Sequence, residues 1–189
     1  MPAGFRMNVR SLYPLEPPPF NAASHGRGTP SQYQPNREAT MTSQLHKQQN
    51  IAVLIDAQNT SSALIHPLLL RAACYGRLVV KRAYADWTRP QMRGYEKVMR
   101  RHAVETTQLF PTATGKNSAD ILMTMDVMDL LRGGVVDAIC LASSDSDFTH
   151  VAMRIRGEGL NAYGIGGRHT PQGFVQACSR FIYCEDLVT

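Results

Sequence analysis

DAICLASSDSDF, residues Asp137–Phe148, is an apolar run that stops at two carboxylates. Ala138–Ala142 has the length and the unbroken apolar character of a strand buried on both faces of a parallel sheet. Ligands of open α/β sheets bind outside the carboxyl ends of the strands. Asp145 and Asp147 follow this strand directly, so the stretch predicts a central strand and also the place of a polar site.

The pattern occurs a second time in IAVLIDAQN, residues Ile51–Asn59. Here the apolar run ends in Asp56, at the carboxyl end of a first predicted strand. A further acid, Asp120, falls in the first turn of a helix predicted over residues 119–131. Because the carboxyl ends of parallel strands share one edge of the sheet, we expect these acids to meet those of the first stretch there.

Segments with strand and helix patterns alternate along the chain. Strands are predicted over residues 51–55, 78–83, 104–110, 138–142, 160–165 and 181–184. Helices are predicted over residues 67–76, 88–102, 119–131 and 146–156, with a short one from residue 171. This order predicts an α/β domain with a mostly parallel sheet of five to six strands, covered by helices on both faces.

Two of these helices carry detailed expectations. Thr88 and Ser118 are the expected N-caps, since a hydroxyl can accept a hydrogen bond from the first free N–H groups of a helix. The helix after Ser118 has apolar residues at the spacing of a buried face: Ile121, Leu122, Met125 and Met128. The helix after Thr88 bears a basic stripe on its water-facing side: Arg89, Arg93, Lys97 and Arg100.

The charge and the composition of the chain suggest its partner and its domain organisation. The 189 residues include 20 Lys and Arg against 15 Asp and Glu, and the net charge of +5 suggests an anionic partner. Residues 1–50 hold seven of the 11 prolines, so we predict a disordered polar tail there and one folded domain over residues 51–189. Met41 leaves open a start of translation nearer the first strand.

The cysteines and the absence of long apolar runs indicate a compartment. The four cysteines form no C-x-x-C pair and are expected to be reduced thiols: Cys74, Cys140, Cys178 and Cys184. No apolar run approaches the length of a membrane span, and the first residues lack the apolar region of a secretory signal. We therefore expect a cytoplasmic protein with no membrane partner.

Aspartates at strand ends suit a site for a hard cation such as Mg²⁺, which takes carboxylate and water oxygens. Two carboxylates about 5 Å apart repel each other by roughly 3 kcal/mol at an effective dielectric constant of about 20. Singly, each acid has another interpretation: Asp56 could cap its loop, and the other three could complement or cap a helix start. Four of them at one edge favour a bound cation.

Three stretches resemble the motifs of NYN domains, the LabA-like branch of the PIN nuclease fold. They are VLIDAQN at Val53–Asn59, GKNSAD at Gly115–Asp120 with Asp126 beyond it, and SSDSDF at Ser143–Phe148. Their order and approximate spacing agree with the family. Two shorter stretches are also similar: Tyr84–Trp87 and Arg168–Pro171. The resemblance covers residues 51–187.

The resemblance implies a Rossmann-like, PIN-like three-layer α/β/α sandwich and RNA as the substrate class. It implies one or two Mg²⁺ or Mn²⁺ ions held by four catalytic carboxylates: Asp56, Asp120, Asp145 and Asp147. Asn59 and Asp126 are ligands of second rank. The implied reaction is hydrolysis of phosphodiester bonds in single-stranded RNA, leaving 5′-phosphate ends.

Eight residues are expected to contact the substrate: Asn59, Arg89, Arg93, Lys97, Lys116, Ser143, Ser144 and Arg168. The basic side chains have a simpler interpretation as solvated surface, and Ser144 stands where many members of the family have glycine. Related proteins often continue into an RNA-binding module, so a protein partner or a homo-oligomer is expected to supply further RNA-binding surface.

The leading hypothesis is thus a metal-dependent ribonuclease. The alternative is a catalytically weak PIN-like regulator that binds RNA or a protein partner. A phosphatase is disfavoured, because Asp56 is followed by Ala57 and Gln58 and does not form the D-x-D sequence of an aspartyl nucleophile.

Overall fold

Six strands form one sheet in the computed structural model, which describes residues 48–110 and 118–187. The strands are β1 (Asn50–Asp56), β2 (Arg77–Ala85), β3 (Glu105–Gln108), β4 (Ala138–Ala142), β5 (Asn161–Gly166) and β6 (Arg180–Tyr183). The helices are α1 (Ile65–Ala73), α2 (Tyr95–Arg101), α3 (Ser118–Gly133), α4 (Phe148–Gly157) and α5 (Gln172–Ala177). Short 3₁₀ turns cover Ser62–Leu64, Pro90–Gly94 and Cys184–Leu187.

The strands lie side by side in the order β3-β2-β1-β4-β5-β6. The direction in which the chain adds successive strands reverses between β1 and β4, at the centre of the sheet. Every neighbouring pair is parallel, and β1 lies against β4 with Ile51 opposite Ala138 and Ile55 opposite Ala142. The chain winds outward from β1 in one direction and from β4 in the other. The carboxyl ends of these two strands therefore form the topological switch point, where α/β sheets of this type bind ligands.

Alternate residues of β1 supply the cores on the two sides of the sheet. Ile51, Val53 and Ile55 pack into one core with residues of α1 and α2. Ala52 and Leu54 pack into the other with residues of α3, α4 and α5. All five side chains are fully buried, as expected of a strand with helices on both faces. The predicted three-layer α/β/α sandwich is confirmed, with a sheet of six parallel strands.

Most predicted elements occur in order, and their boundaries differ where local contacts compete. The Pro90 turn is entered at Arg89 and not at Thr88, whose hydroxyl donates to the Asp86 carboxylate at 2.6 Å. The edge strand β3 is shorter than predicted, since it pairs with β2 alone and none of its residues is fully buried. Ser118 is the first residue of α3 and does not precede it.

The prediction for the buried face of α3 was wrong at two positions. Ile121 and Met125 are 58% and 57% exposed. The residues that α3 buries are Ala119, Met123 and Val127, while Leu122 and Met128 are partly buried against the same core. Apolar residues occupy much of the circumference of this helix, so their spacing alone did not decide which side faces the sheet.

Several predictions fall on residues outside the described ranges. Of the predicted N-terminal tail only residues 48–50 are described, and Asn50 already belongs to β1. The predicted turn over residues 112–117, with Lys116, also lies outside. Within residues 48–110 and 118–187, the helices are too short or too polar for any of them to cross a membrane.

Candidate active site

Three acidic side chains meet beside the carboxyl ends of the central strands. Asp120 lies in the first turn of α3, and Asp145 and Asp147 lie in the loop that joins β4 to α4. Each offers a carboxylate oxygen, and these oxygens lie within 4.8 Å of one another. Asp120 and Asp145 are partly buried, and Asp147 is exposed. We call these three residues the acid cluster.

Asp56 ends β1 at the switch point and is fully buried. Its Oδ2 accepts hydrogen bonds from Asn59 Nδ2 at 2.6 Å and from Ser143 Oγ at 3.4 Å, and its Oδ1 accepts one from the Gln58 N–H at 3.2 Å. Burial raises the pKa of Asp56, and these hydrogen bonds act in the opposite direction. Asp56 is not one of the three residues of the acid cluster, although its charge acts on Asp120.

A chain of hydrogen bonds connects Asp56 to the acid cluster. The Ser143 hydroxyl, which donates to Asp56, also accepts from the Asp145 N–H at 3.1 Å. Asp145 Oδ1 in turn accepts from the Asp147 N–H at 3.0 Å. Ser143 is buried, so its hydroxyl is held in place by packing as well as by its two partners. The loop after β4 is thereby fastened to the end of β1.

The acid cluster carries mutually repelling charge. Burial, together with the charges of Asp56, Asp145 and Asp147, raises the pKa of Asp120 to about 6. Such an arrangement favours either a proton or a cation among the carboxylates. Carboxylate oxygens are hard ligands, and three of them close together suit Mg²⁺ or Mn²⁺.

Asp126, the second-rank candidate on α3, has structural partners. Its Oδ2 accepts from Arg82 Nη1 at 3.1 Å and from the Tyr84 hydroxyl, both on β2. Burial and the adjacent Asp126 carboxylate raise the pKa of Tyr84. Among the described residues, Asp126 is not part of the acid cluster. It ties α3 to the sheet about two turns beyond Asp120.

A cavity of about 240 Å³ lies on the β5 side of the switch point and is lined by both polar and apolar groups. Asn59, Ser143 and Ser144 line it together with residues of the loop after β5. The Ser144 hydroxyl accepts a hydrogen bond from the Gly167 N–H at 2.9 Å. A Cβ at Gly166 would lie 2.7 Å from the Ser143 carbonyl oxygen, so only glycine allows the two loops to approach this closely.

The basic residues proposed to contact the substrate are partly engaged with acids. Arg89 pairs with Asp86 at 3.2 Å, and Arg168 pairs with Asp186 at 2.7 Å. Arg93 and Lys97 line a shallow surface hollow that also contains two mutually paired residues, Glu96 and Arg100. The Glu96–Arg100 pair could be predicted from the sequence, because its residues are four positions apart on one helix. The Arg168–Asp186 pair could not be predicted, since its residues lie 18 positions apart.

An apolar groove on α3 also borders the acid cluster and was missed by the sequence analysis. It has a volume of about 340 Å³ and is lined by Asp120, Ile121, Thr124, Met125 and Asp147. Its apolar members were expected to be buried. A signal existed in the sequence, because apolar residues of this helix outnumber those that one face can bury.

Comparison with known proteins places this architecture in a family. The NYN domain model matches residues 50–185 of the chain. A crystal structure of a protein of unknown function from Vibrio parahaemolyticus is similar with a TM-score of 0.64 and 22% sequence identity, over 76% of this chain and 98% of that chain. At this identity the likeness shows the fold alone. A comparison with curated proteins gives no match.

The NYN match includes all three of the motif stretches and extends from β1 to the turn after β6. The sheet order and the carboxylates at its switch point agree with that assignment. This chain therefore belongs to the NYN domain family, a family of PIN-like nuclease domains.

Proposed function

We propose that this protein is a metal-dependent ribonuclease that hydrolyses phosphodiester bonds of single-stranded RNA. The observation that carries the proposal is the acid cluster, with oxygens within 4.8 Å of one another beside the buried Asp56, in an NYN domain. The raised pKa of Asp120 supports it, because the burial and the neighbouring negative charges that favour a proton on this carboxylate also favour a divalent cation beside it.

The four acidic residues form the metal site in this proposal. Asp120, Asp145 and Asp147 would hold one or two Mg²⁺ or Mn²⁺ ions through their clustered oxygens, and Asp56 would add negative charge from the end of β1. When bound, such an ion polarises a phosphoryl oxygen and lowers the pKa of a water molecule. Asn59 and Ser143 orient Asp56, and Ser143 also holds the Asp145 backbone.

The remaining features of the proposal concern the substrate and the setting. Asn59, Ser143 and Ser144 line the cavity on the β5 side, and there they would meet the sugar-phosphate chain. Arg93, Lys97 and Lys116 would meet phosphates farther along it, with Arg89 and Arg168 contributing on release from their acids. The products carry 5′-phosphates, and a protein partner or second copy adds RNA-binding surface. Within the family we place the chain in the LabA-like branch.

The tail and the compartment also remain predictions. We propose a single folded domain over residues 51–189, and residues 1–47 of the predicted tail lie outside the described residues. The cytoplasm is the expected compartment, in line with the four cysteines, all of which are free thiols.

A second candidate function is a catalytically weak regulator that binds RNA or a protein. The observation that favours it is the pairing of Arg89 and Arg168 with carboxylates of the same chain, which reduces the positive surface available for substrate. Both candidates use the same fold, and they differ in whether bound RNA is cut.

The decisive experiment substitutes Asp145 with Asn and compares cleavage of a short labelled single-stranded RNA in Mg²⁺ and in Mn²⁺. We expect the loss of at least about 100-fold in rate, with Mn²⁺ binding by calorimetry reduced in parallel. Asp129→Asn is the matched control, because Asp129 is an exposed acid of α3 paired only loosely with Arg132 at 3.6 Å.

Three results decide between the candidates. Full activity of Asp145→Asn contradicts the nuclease proposal. Metal binding by the wild type without cleavage of any RNA favours the regulator. Loss of activity in Asp145→Asn, with an unchanged circular dichroism spectrum and an active Asp129→Asn control, supports the ribonuclease.

A further inference from the structure

Helix α3 exposes two large apolar side chains next to the acid cluster. Ile121 and Met125 lie one turn apart and are 58% and 57% exposed. Together with Thr124 they form the wall of the α3 groove, whose volume is about 340 Å³. Two residues of the acid cluster, Asp120 and Asp147, complete the lining. The groove is therefore continuous with the candidate metal site.

We propose that the α3 groove holds one nucleobase of the RNA strand, next to the phosphate that lies at the acid cluster. The proposal rests on the ribonuclease function and specifies how the substrate is seated. Because each base presents an apolar π-face, contact with Ile121 and Met125 would be tolerant of sequence. The Met125 sulfur is polarizable and makes favourable contacts with aromatic rings.

The charges around the groove favour a base over a phosphate. Asp120 and Asp147 place negative charge at its edge, which repels a phosphate wherever no cation intervenes. A nucleobase is uncharged, and its polar edge can meet the Thr124 hydroxyl. A strand that brings one phosphate to the cluster therefore gains most by turning the adjacent base onto α3.

The size and position of the groove argue against a protein occupant. Its volume is near the lower end of the range of about 300–1,000 Å³ for small-molecule pockets. Any partner that stayed there would also cover Asp120 and Asp147. An RNA strand with a phosphate at the carboxylates, in contrast, lies beside the groove only until it is cleaved and released.

Methionine oxidation tests the proposal on the wild-type protein without relying on activity. Met125 and Met153 are matched probes, since Met153 on α4 is 56% exposed and does not line the groove. The protein is treated with dilute peroxide in Ca²⁺, with and without a saturating short single-stranded RNA, and sulfoxide at each site is measured by mass spectrometry. Ca²⁺ is used because it binds the same oxygen ligands with looser geometry than Mg²⁺.

We expect RNA to slow oxidation of Met125 several-fold and to leave Met153 unchanged. An RNA of the same length made of abasic nucleotides should give no protection of Met125. Equal protection by the abasic strand, or none by either strand, overturns the proposal. Protection that depends on protein concentration in the absence of RNA also overturns it, because a second copy would then be the occupant.

Kinetics of Met125→Ala provide an independent test. We expect its KM for the RNA to rise about threefold to tenfold with kcat little changed, and no change with the abasic strand as substrate. Met153→Ala is the control and should match the wild type. Unchanged KM in Met125→Ala overturns the groove assignment.

These readouts separate the groove from the ribonuclease function. Cleavage by the wild type without protection of Met125 contradicts the groove proposal and is consistent with the ribonuclease function. Protection of Met125 without cleavage leaves the base-binding groove standing and removes the catalytic function.

Discussion

Ser143 links the ends of β1 and β4 at the switch point by hydrogen bonds. Its hydroxyl donates to Asp56 and accepts from the Asp145 N–H, at 3.4 and 3.1 Å. One buried side chain thus orients a carboxylate on β1 and fixes the loop after β4. Groups that orient metal ligands typically change metal affinity 10- to 100-fold when removed.

Ser143→Ala is therefore expected to weaken Mn²⁺ binding by about 10-fold to 100-fold, measured by calorimetry. The physical reason is the loss of both hydrogen bonds, one of which orients the Asp56 carboxylate and the other the backbone at Asp145. Ser146→Ala is the control, since the Ser146 hydroxyl lies 3.5 Å from Asp145 Oδ1 on the exposed side of the loop. Equal metal affinity in both variants would remove Ser143 from the positioning role.

Asp120 makes the stability of the metal-free protein depend on pH. Its pKa is about 6 in the folded protein and near 3.8 in the unfolded chain, so between these values the folded state binds more protons. Stability due to this residue is therefore highest at and below pH 4 and falls as the pH rises toward 6.

Asp120→Asn should match the wild type near pH 4 and exceed it in unfolding free energy by about 1 kcal/mol at pH 7, a figure reduced for partial solvent screening. Urea unfolding in the presence of a chelator measures the difference. Parallel stability profiles of the two proteins from pH 4 to 7 would contradict the charge repulsion described for the acid cluster.

At the scale of elements, α3 is attached to the sheet by a polar contact as well as by its apolar face. Ala119, Met123 and Val127 bury the apolar face, while Asp126 reaches Arg82 and Tyr84 on β2. This contact lies on the helix that carries Asp120. The position of one acid of the cluster is therefore coupled to the attachment of the whole helix.

Tyr84→Phe is expected to lower the free energy of unfolding by about 1–3 kcal/mol, because Asp126 loses a partner from a buried hydroxyl. Mn²⁺ affinity should stay close to that of the wild type if Asp126 acts in structure. Tyr95→Phe is a matched control that removes a neutral hydrogen bond to the Thr60 carbonyl, and should cost about 1 kcal/mol. A large loss of metal binding in Tyr84→Phe would instead make Asp126 a ligand.

For the whole molecule, a net charge of +5 coexists with a strongly acidic site. The positive charge must then lie elsewhere, and we propose that Arg93, in the turn before α2, and Lys97, on α2, follow an RNA backbone. The logarithm of the affinity for single-stranded RNA falls linearly with the logarithm of the salt concentration, with a slope of about 0.7 for each neutralised phosphate.

The double variant Arg93→Glu with Lys97→Glu should reduce this slope by about 1.4, measured by fluorescence anisotropy between low and moderate salt. The control reverses two arginines outside the stripe that have local acidic partners: Arg132, paired with Asp129 on α3, and Arg154, paired with Glu158 just after α4. A slope equal to that of the wild type would exclude the stripe from the RNA path.

The sequence by itself determined the class of fold, and it singled out four acids, three of which the structure brings together. Strand and helix periodicities are local properties, and a polar burst after an apolar strand marks its carboxyl end wherever the strand lies. Val53–Asn59 and Ser143–Phe148 could therefore be recognised as two strand ends at one edge of the sheet. The motifs of the NYN family added the metal and RNA as expectations.

Only the tertiary structure decided how these residues are shared among partners. Asp126 meets Arg82 and Arg168 meets Asp186 across 44 and 18 residues of chain, and neither pairing has a local signature. The exposure of Met125 was likewise decided by the rotation of α3 against the sheet. Packing selects one of several apolar faces, so the groove beside the acid cluster emerged from long-range contacts that periodicity does not encode.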